Sequence, residues 1–180
     1  MRKEWNAVDI LRHSRHDWLN KLQLIKGNLA LERLDRVNEI IEEIIIETKN
    51  ESKLSNLKVP QLAALLMMFN WEERFVFLEY EVLGDERNLS AYDKEITSWC
   101  SGLLNNLNEA IKPLAENNLI LSIELSDEEV RFIFDFRGII EDKEKVLNYI
   151  EDQKNHKSIK VVESNVHNDE MIVISKISLS

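Results

Sequence analysis

The chain is poor in the residues that staple or interrupt a fold. Its one cysteine, Cys100, rules out an internal disulfide and with it a disulfide scaffold. A reducing cytoplasm is the expected compartment. Two prolines and four glycines in 180 residues are too few for a loop-rich or collagen-like chain, so long uninterrupted elements are expected. No apolar run is long enough to span a bilayer, and Met1-Arg2-Lys3-Glu4-Trp5 holds no apolar signal core. Neither a membrane nor, at a net charge of −10, a nucleic acid is an expected partner.

What is present is enough apolar sequence, 44%, to fill a core without staples, in one domain or two small ones. The charge is uneven. Residues 1–33 hold seven Lys and Arg against four acids, and the remainder carries −13. A basic opening segment suits an acidic or phosphorylated partner, although an ordinary solvated face has the same composition.

Residues 4–32 read as one helix. Val8, Leu11, Trp18, Leu22, Ile25 and Leu29 recur at three and four, with Arg15 in the gap, as a heptad-like seam. Gly27 sits inside this helix, where it costs about 1 kcal/mol relative to alanine. A break near Leu34-Asp35, with Asp35 as a cap, leads to a second helix over 36–53. Its face of Val37, Ile40, Ile41, Ile44 and Ile45, with Ile46 beside it, is too apolar for a lone hairpin. Pairing with a second copy into a four-helix bundle would bury it, as would packing against the rest of the chain.

Pro60 marks the end of this segment, giving a boundary near 55–60: a hairpin over 1–57 and a second domain over 58–180. That second domain reads as helix 61–73, strand 75–83, helix 90–117 capped by Ser90, and strands 119–125 and 130–136. Helix 141–153 and strands 157–164 and 171–178 complete it. The fold class is α+β, a helical hairpin followed by an α/β sandwich.

On the first helix Asp9, His13, His16, Asn20 and Gln23 form a polar stripe beside the seam, both histidines within reach of solvent. Imidazole can attack as a nucleophile through one nitrogen while the other keeps its proton. Asp17 and Asn20 are placed to orient His16, and Arg15 and Lys21 flank it as possible holders of phosphoryl oxygens. Residue types alone fit surface decoration better. A metal site lacks a third ligand at suitable spacing. Ser14 cannot form a triad, because neighbouring helical residues do not converge.

The run His16-Asp17-Trp18-Leu19-Asn20-Lys21-Leu22-Gln23-Leu24-Ile25-Lys26-Gly27 resembles the phosphoacceptor helix of sensor histidine kinases. The longer match, His13 to Trp18, Glu51 to Leu57, Leu78 to Gly84 and Leu89 to Asp93, resembles the sporulation initiation phosphotransferase B family. That resemblance covers roughly residues 11–112. It implies a dimeric four-helix bundle with His16 as the phosphoacceptor beside Asp17 and Asn20, and His13 as a non-acceptor. It also implies a phosphotransferase with no cofactor of its own. The partners would be two response-regulator receiver domains that supply the magnesium, one donating and one accepting phosphate.

A histidine-kinase ATP-binding domain would place a magnesium-binding asparagine where Asn105-Asn106-Leu107-Asn108-Glu109-Ala110 has Glu109. Its Asp-x-Gly-x-Gly motif is reduced to Asp135-Phe136-Arg137-Gly138, and no glycine follows to form a phosphate loop. The C-terminal domain therefore resembles a degenerate kinase domain, and a protein donor is expected in place of ATP. An autophosphorylating kinase and a silent receiver-binding adaptor are the competing readings.

Overall fold

The computed structural model describes residues 5–153 and 158–179. The chain divides into two compact units, Met1–Lys49 and Asn50–Ser180. Helix α1 spans Ala7–Ala30 and helix α2 spans Leu34–Asn56. The short turn between them places Glu32 at φ +56°. Asp35 lies in the first turn of α2 and so does not cap it, contrary to the sequence expectation. In the first unit Val37 and Ile40 are buried, and the ion pair between Lys21 and Glu47 fastens the two antiparallel helices.

The last turns of α2 belong to the second unit, where Leu54 and Leu57 enter the core. Helix α3 (Pro60–Met67) follows, then a 3-10 turn over Phe69–Trp71, so the expected helix 61–73 is split. Strand β1 spans Phe77–Leu83 and helix α4 spans Asp93–Ala110. Helix α4 is shorter than the pattern suggested at both ends. At its start Ser90 lies in a 3-10 turn and Asn88 Oδ1 accepts the Ser90 N–H at 3.0 Å. At its end Ile111 is extended and Lys112 N–H reaches Ile139 O at 2.8 Å, just ahead of Pro113.

Strands β2 (Asn118–Leu125) and β3 (Glu129–Arg137) form a hairpin, and helix α5 spans Lys143–Gln153. Strands β4 (Ile159–Val166) and β5 (Glu170–Ser178) close the fold. Lys157, which the sequence placed at the start of β4, lies outside the described residues. The sheet order is β1-β2-β3-β5-β4, with β1 and β2 parallel and the remaining pairs antiparallel.

Alternation along each strand sends one set of side chains into the core. Leu119, Leu121 and Ile123 of β2, and Val130, Phe132, Phe134 and Phe136 of β3, are almost fully buried. The buried side chains of Trp99, Ser175 and Asp93 have hydrogen-bond partners. Trp99 Nε1 donates to Ser175 Oγ at 2.9 Å, and Asp93 accepts the N–H groups of Gln61 and Leu62 at 3.0 Å each. Asp93 thus caps α3, whose own N-cap Val59 has no side chain able to do so. The edge of β1 is occupied by side chains that imitate a neighbouring strand. The amide of Asn70 meets both Leu78 N–H and C=O, at 3.0 and 2.7 Å, while Asn50 and Lys53 do the same for Val82.

Candidate phosphoacceptor site

The start of α1 fixes the rotation of its polar stripe. Asn6 Oδ1 accepts the N–H groups of Val8 and Asp9 at 2.9 and 3.0 Å, and Asp9 accepts the Asn6 amide at 2.5 Å. This reciprocal cap satisfies donors that the first helical turn leaves open.

The His16 side chain is 73% exposed. Its Nδ1 lies 3.2 Å from Asn20 Nδ2, one turn on, and 3.8 Å from Asp17 Oδ1. The ring is therefore held along the helix by one nitrogen. Nε2, the other, meets no side chain among the described residues. As drawn, the Asn20 amide donates to Nδ1. A half-turn of that amide presents an acceptor instead and suits a proton on Nδ1, as does the Asp17 carboxylate.

The two histidines of the stripe differ. The half-buried His13 ring meets Trp5 edge to face, with centroids 4.8 Å apart and planes at 80°. Sequence reasoning had both rings reachable and missed Trp5, which the expected helix over 4–32 included and which lies ahead of the start of α1 at Ala7. Of the flanking cations, Arg15 is exposed about 100° around the helix from His16. The Lys21 ammonium is turned about 140° away, paired with Glu47 and 5.5 Å from the Trp18 ring centroid. His16, Asp17 and Asn20 come together, and Lys21 does not join them. Glu47 was also missed, because its role depends on the antiparallel register of α1 against α2.

The seam residues beside this stripe are uncovered. Leu11, Trp18, Leu22 and Leu29 are each about half exposed or more, and α1 buries none of its residues.

In the second unit the positions compared with a nucleotide site have other partners. Glu109 holds the Lys145 ammonium at 2.5 Å. Asn105 accepts from Arg74 at 3.1 Å, and Asn108 accepts the Phe75 N–H at 2.8 Å. Asp135 pairs with Arg137 at 3.3 Å. A cavity of about 520 Å³ opens beside the starts of β1 and β2, lined in part by Arg74, Phe75 and Asn117, and none of Glu109, Asn108 or Asp135 borders it.

The chain thus combines a helical hairpin that bears an exposed histidine with a five-stranded α/β unit. The model of the sensor-kinase SpoOB-type alpha-helical domain matches residues 1–57. The model of the sporulation initiation phosphotransferase B C-terminal domain matches residues 58–178. The chain belongs to the sporulation initiation phosphotransferase B family. It is 47% identical over 137 residues to sporulation initiation phosphotransferase B of Bacillus subtilis (strain 168), covering 75% of this chain and 71% of that relative.

Among solved structures, the nucleotide-free catalytic domain of histidine kinase ThkA matches at a TM-score of 0.47 and 13% identity. That match covers 70% of this chain and 92% of that one. Histidine kinase ThkA in complex with the response regulator protein TrrA matches at 0.44 and 13%, covering 96% and 61%. No helix among the described residues is long and apolar enough to cross a membrane.

Proposed function

We propose that this chain is the phosphotransferase of a His-Asp relay, with His16 carrying the phosphoryl group between two receiver domains during sporulation initiation. The observation that carries this reading is the His16 ring, exposed and gripped only at Nδ1. The Nε2 lone pair attacks the phosphorus of an aspartyl phosphate in line. The P–O bond to the aspartate breaks, and the carboxylate leaves with the electron pair. A second receiver's aspartate then attacks the phosphohistidine, and the P–N electrons return to Nε2. Throughout, Nδ1 keeps its proton, held by Asp17 and Asn20. Arg15 is close enough in sequence to swing toward phosphoryl oxygens, whereas Lys21 would first have to leave Glu47.

Such a transfer depends on positioning and charge stabilisation, and the receiver's magnesium supplies the latter, so the chain needs no cofactor of its own. The uncovered seam supports a homodimer in which two hairpins form a four-helix bundle, in the cytoplasm where receivers reside. A protein donor rather than ATP is supported by Glu109, whose carboxylate already holds an ammonium where a kinase-like site would bind magnesium.

The test is to incubate the purified chain with phosphorylated receiver domains, and separately with ATP, and to look for acid-labile, base-stable phosphate on His16. Labelling from a receiver and none from ATP is expected, with all label lost in His16→Gln and retained when His13 is substituted. ATP-dependent labelling would instead make the chain a kinase, and no labelling from any source would make it an adaptor.

A further inference from the structure

One buried side chain pins together three loops at one end of the α/β unit. Asn117 Nδ2 donates to Phe75 O at 3.1 Å and to Lys112 O at 2.9 Å, and its Oδ1 accepts the Ile139 N–H at 3.0 Å. Gly138 leaves the room for this clamp, since a Cβ there would lie 2.3 Å from Asn117 Oδ1. Each clamped segment carries an apolar side chain left in water. Phe75, Phe77 and Ile139 are about half exposed, and Leu114 is 99% exposed. Leu114 also has a φ of +64°, a region that a leucine occupies only at a cost. Rigidly held, exposed apolar groups of this kind suit a binding surface better than a core.

The cavity of about 520 Å³ opens among these segments, with Phe75, Phe77 and Glu116 in its wall. That volume lies within the range of about 300–1,000 Å³ typical of ligand sites. Its charges decide what it takes. The terminal nitrogens of Arg74 are engaged by Asn105 Oδ1 at 3.1 Å and Glu72 Oε2 at 2.5 Å, and its guanidinium lies 4.2 Å from the Phe69 ring centroid. Arg74 and Glu72 thus neutralise each other. Glu116, with Glu73 and Glu79 nearby in sequence to the two phenylalanines, is exposed and has no ionic partner among the described residues. The exposed Lys112 opposes these three carboxylates, and Arg137 is already held by Asp135 and Glu170.

We propose that this end of the α/β unit docks a basic peptide segment of a partner protein, one arginine or lysine of which enters the cavity. Its cationic head lies against the Phe75 and Phe77 rings and faces the Glu116 carboxylate. Apolar neighbours in the peptide cover Leu114 and Ile139. Charge complementarity chooses this occupant, because the unpaired acids repel nucleic acid, an anionic membrane or an acidic protein face. The site uses no residue of the hairpin and does not depend on the relay reading.

The experiment titrates the isotope-labelled full chain with the synthetic peptide acetyl-Leu-Arg-Leu-Leu-amide, and with versions carrying Gln or Glu in place of Arg, following backbone amide shifts. Saturable shifts confined to residues 70–77, 112–118 and 138–140 are expected with the arginine peptide. The glutamine peptide should bind about tenfold more weakly, and the glutamate peptide should not saturate. Glu116→Gln should weaken binding of the arginine peptide about fivefold and Phe77→Ala about tenfold. Both positions are exposed, so the unit keeps its fold. Equal affinity for the arginine and glutamine peptides, or binding unchanged in Glu116→Gln, overturns the choice of a cation. Tighter binding of the glutamate peptide overturns it in favour of an acidic partner. Shifts centred on other residues, or none with any peptide, overturn the site itself.

Discussion

Helices α1 and α4 have similar apolar content and opposite fates. Helix α4 buries eight of its residues, from Asp93 to Ala110, whereas α1 buries none. The first is enclosed by α3, α5 and a sheet in its own unit, and the second meets one neighbouring helix in the hairpin. The α/β unit closes its own core, whereas the apolar seam of α1 is left exposed. On the proposed relay, the helix that presents His16 to other proteins would not be sealed inside its own chain.

Equivalent damage to the two regions should therefore have different signatures. Phe134→Ala removes a fully buried ring from the sheet. It should destabilise the α/β unit by about 3–5 kcal/mol, at any protein concentration, in urea unfolding followed by fluorescence. Leu22→Asp should act through association instead. It places a charge in the proposed seam and should shift the chain to monomer in sedimentation, by at least about 100-fold in dimer affinity, or roughly 3 kcal/mol. Loss of stability there that does not depend on concentration would mean that the hairpin core is intramolecular.

A smaller effect separates capping from packing. Asp93→Ala leaves the Gln61 and Leu62 N–H groups without their acceptor and should cost about 1–3 kcal/mol. Native-state hydrogen exchange should show the loss first at the start of α3, and an unchanged α3 would show that Asp93 is replaceable.

The smallest expected effect is in alkali. Burial pushes the Tyr149 hydroxyl, which donates to Trp99 O at 2.9 Å, up from 10.0 to about 12. The unfolded chain loses this proton first, so the stabilisation is fully present below pH 10 and is lost as pH rises toward 12. Tyr149→Phe should flatten that part of the Tm profile, and an unaltered slope would place the alkaline loss elsewhere.

Legibility followed the same division. Two-residue alternation revealed four of the five strands within a residue or two, and the short connection made the hairpin antiparallel. The ends of α4 were misjudged because Leu107, Ala110 and Ile111 keep a helical pattern past the point where Ile111 bridges to Ile140. His16, Asp17 and Asn20 were legible as a set because they lie within about one turn. Lys21 looked equally close in sequence, and its pairing with Glu47 could not be read locally.

Local spacing therefore determined the α+β order, the hairpin, and the helix on which His16, Asp17 and Asn20 meet, because helical and strand periods act over a few residues. Only tertiary structure decided that Lys21 pairs with Glu47, that Asp93 caps a helix about 30 residues away, and that α1 lies uncovered. Those depend on which elements pack together, and packing sets distances that no local period encodes.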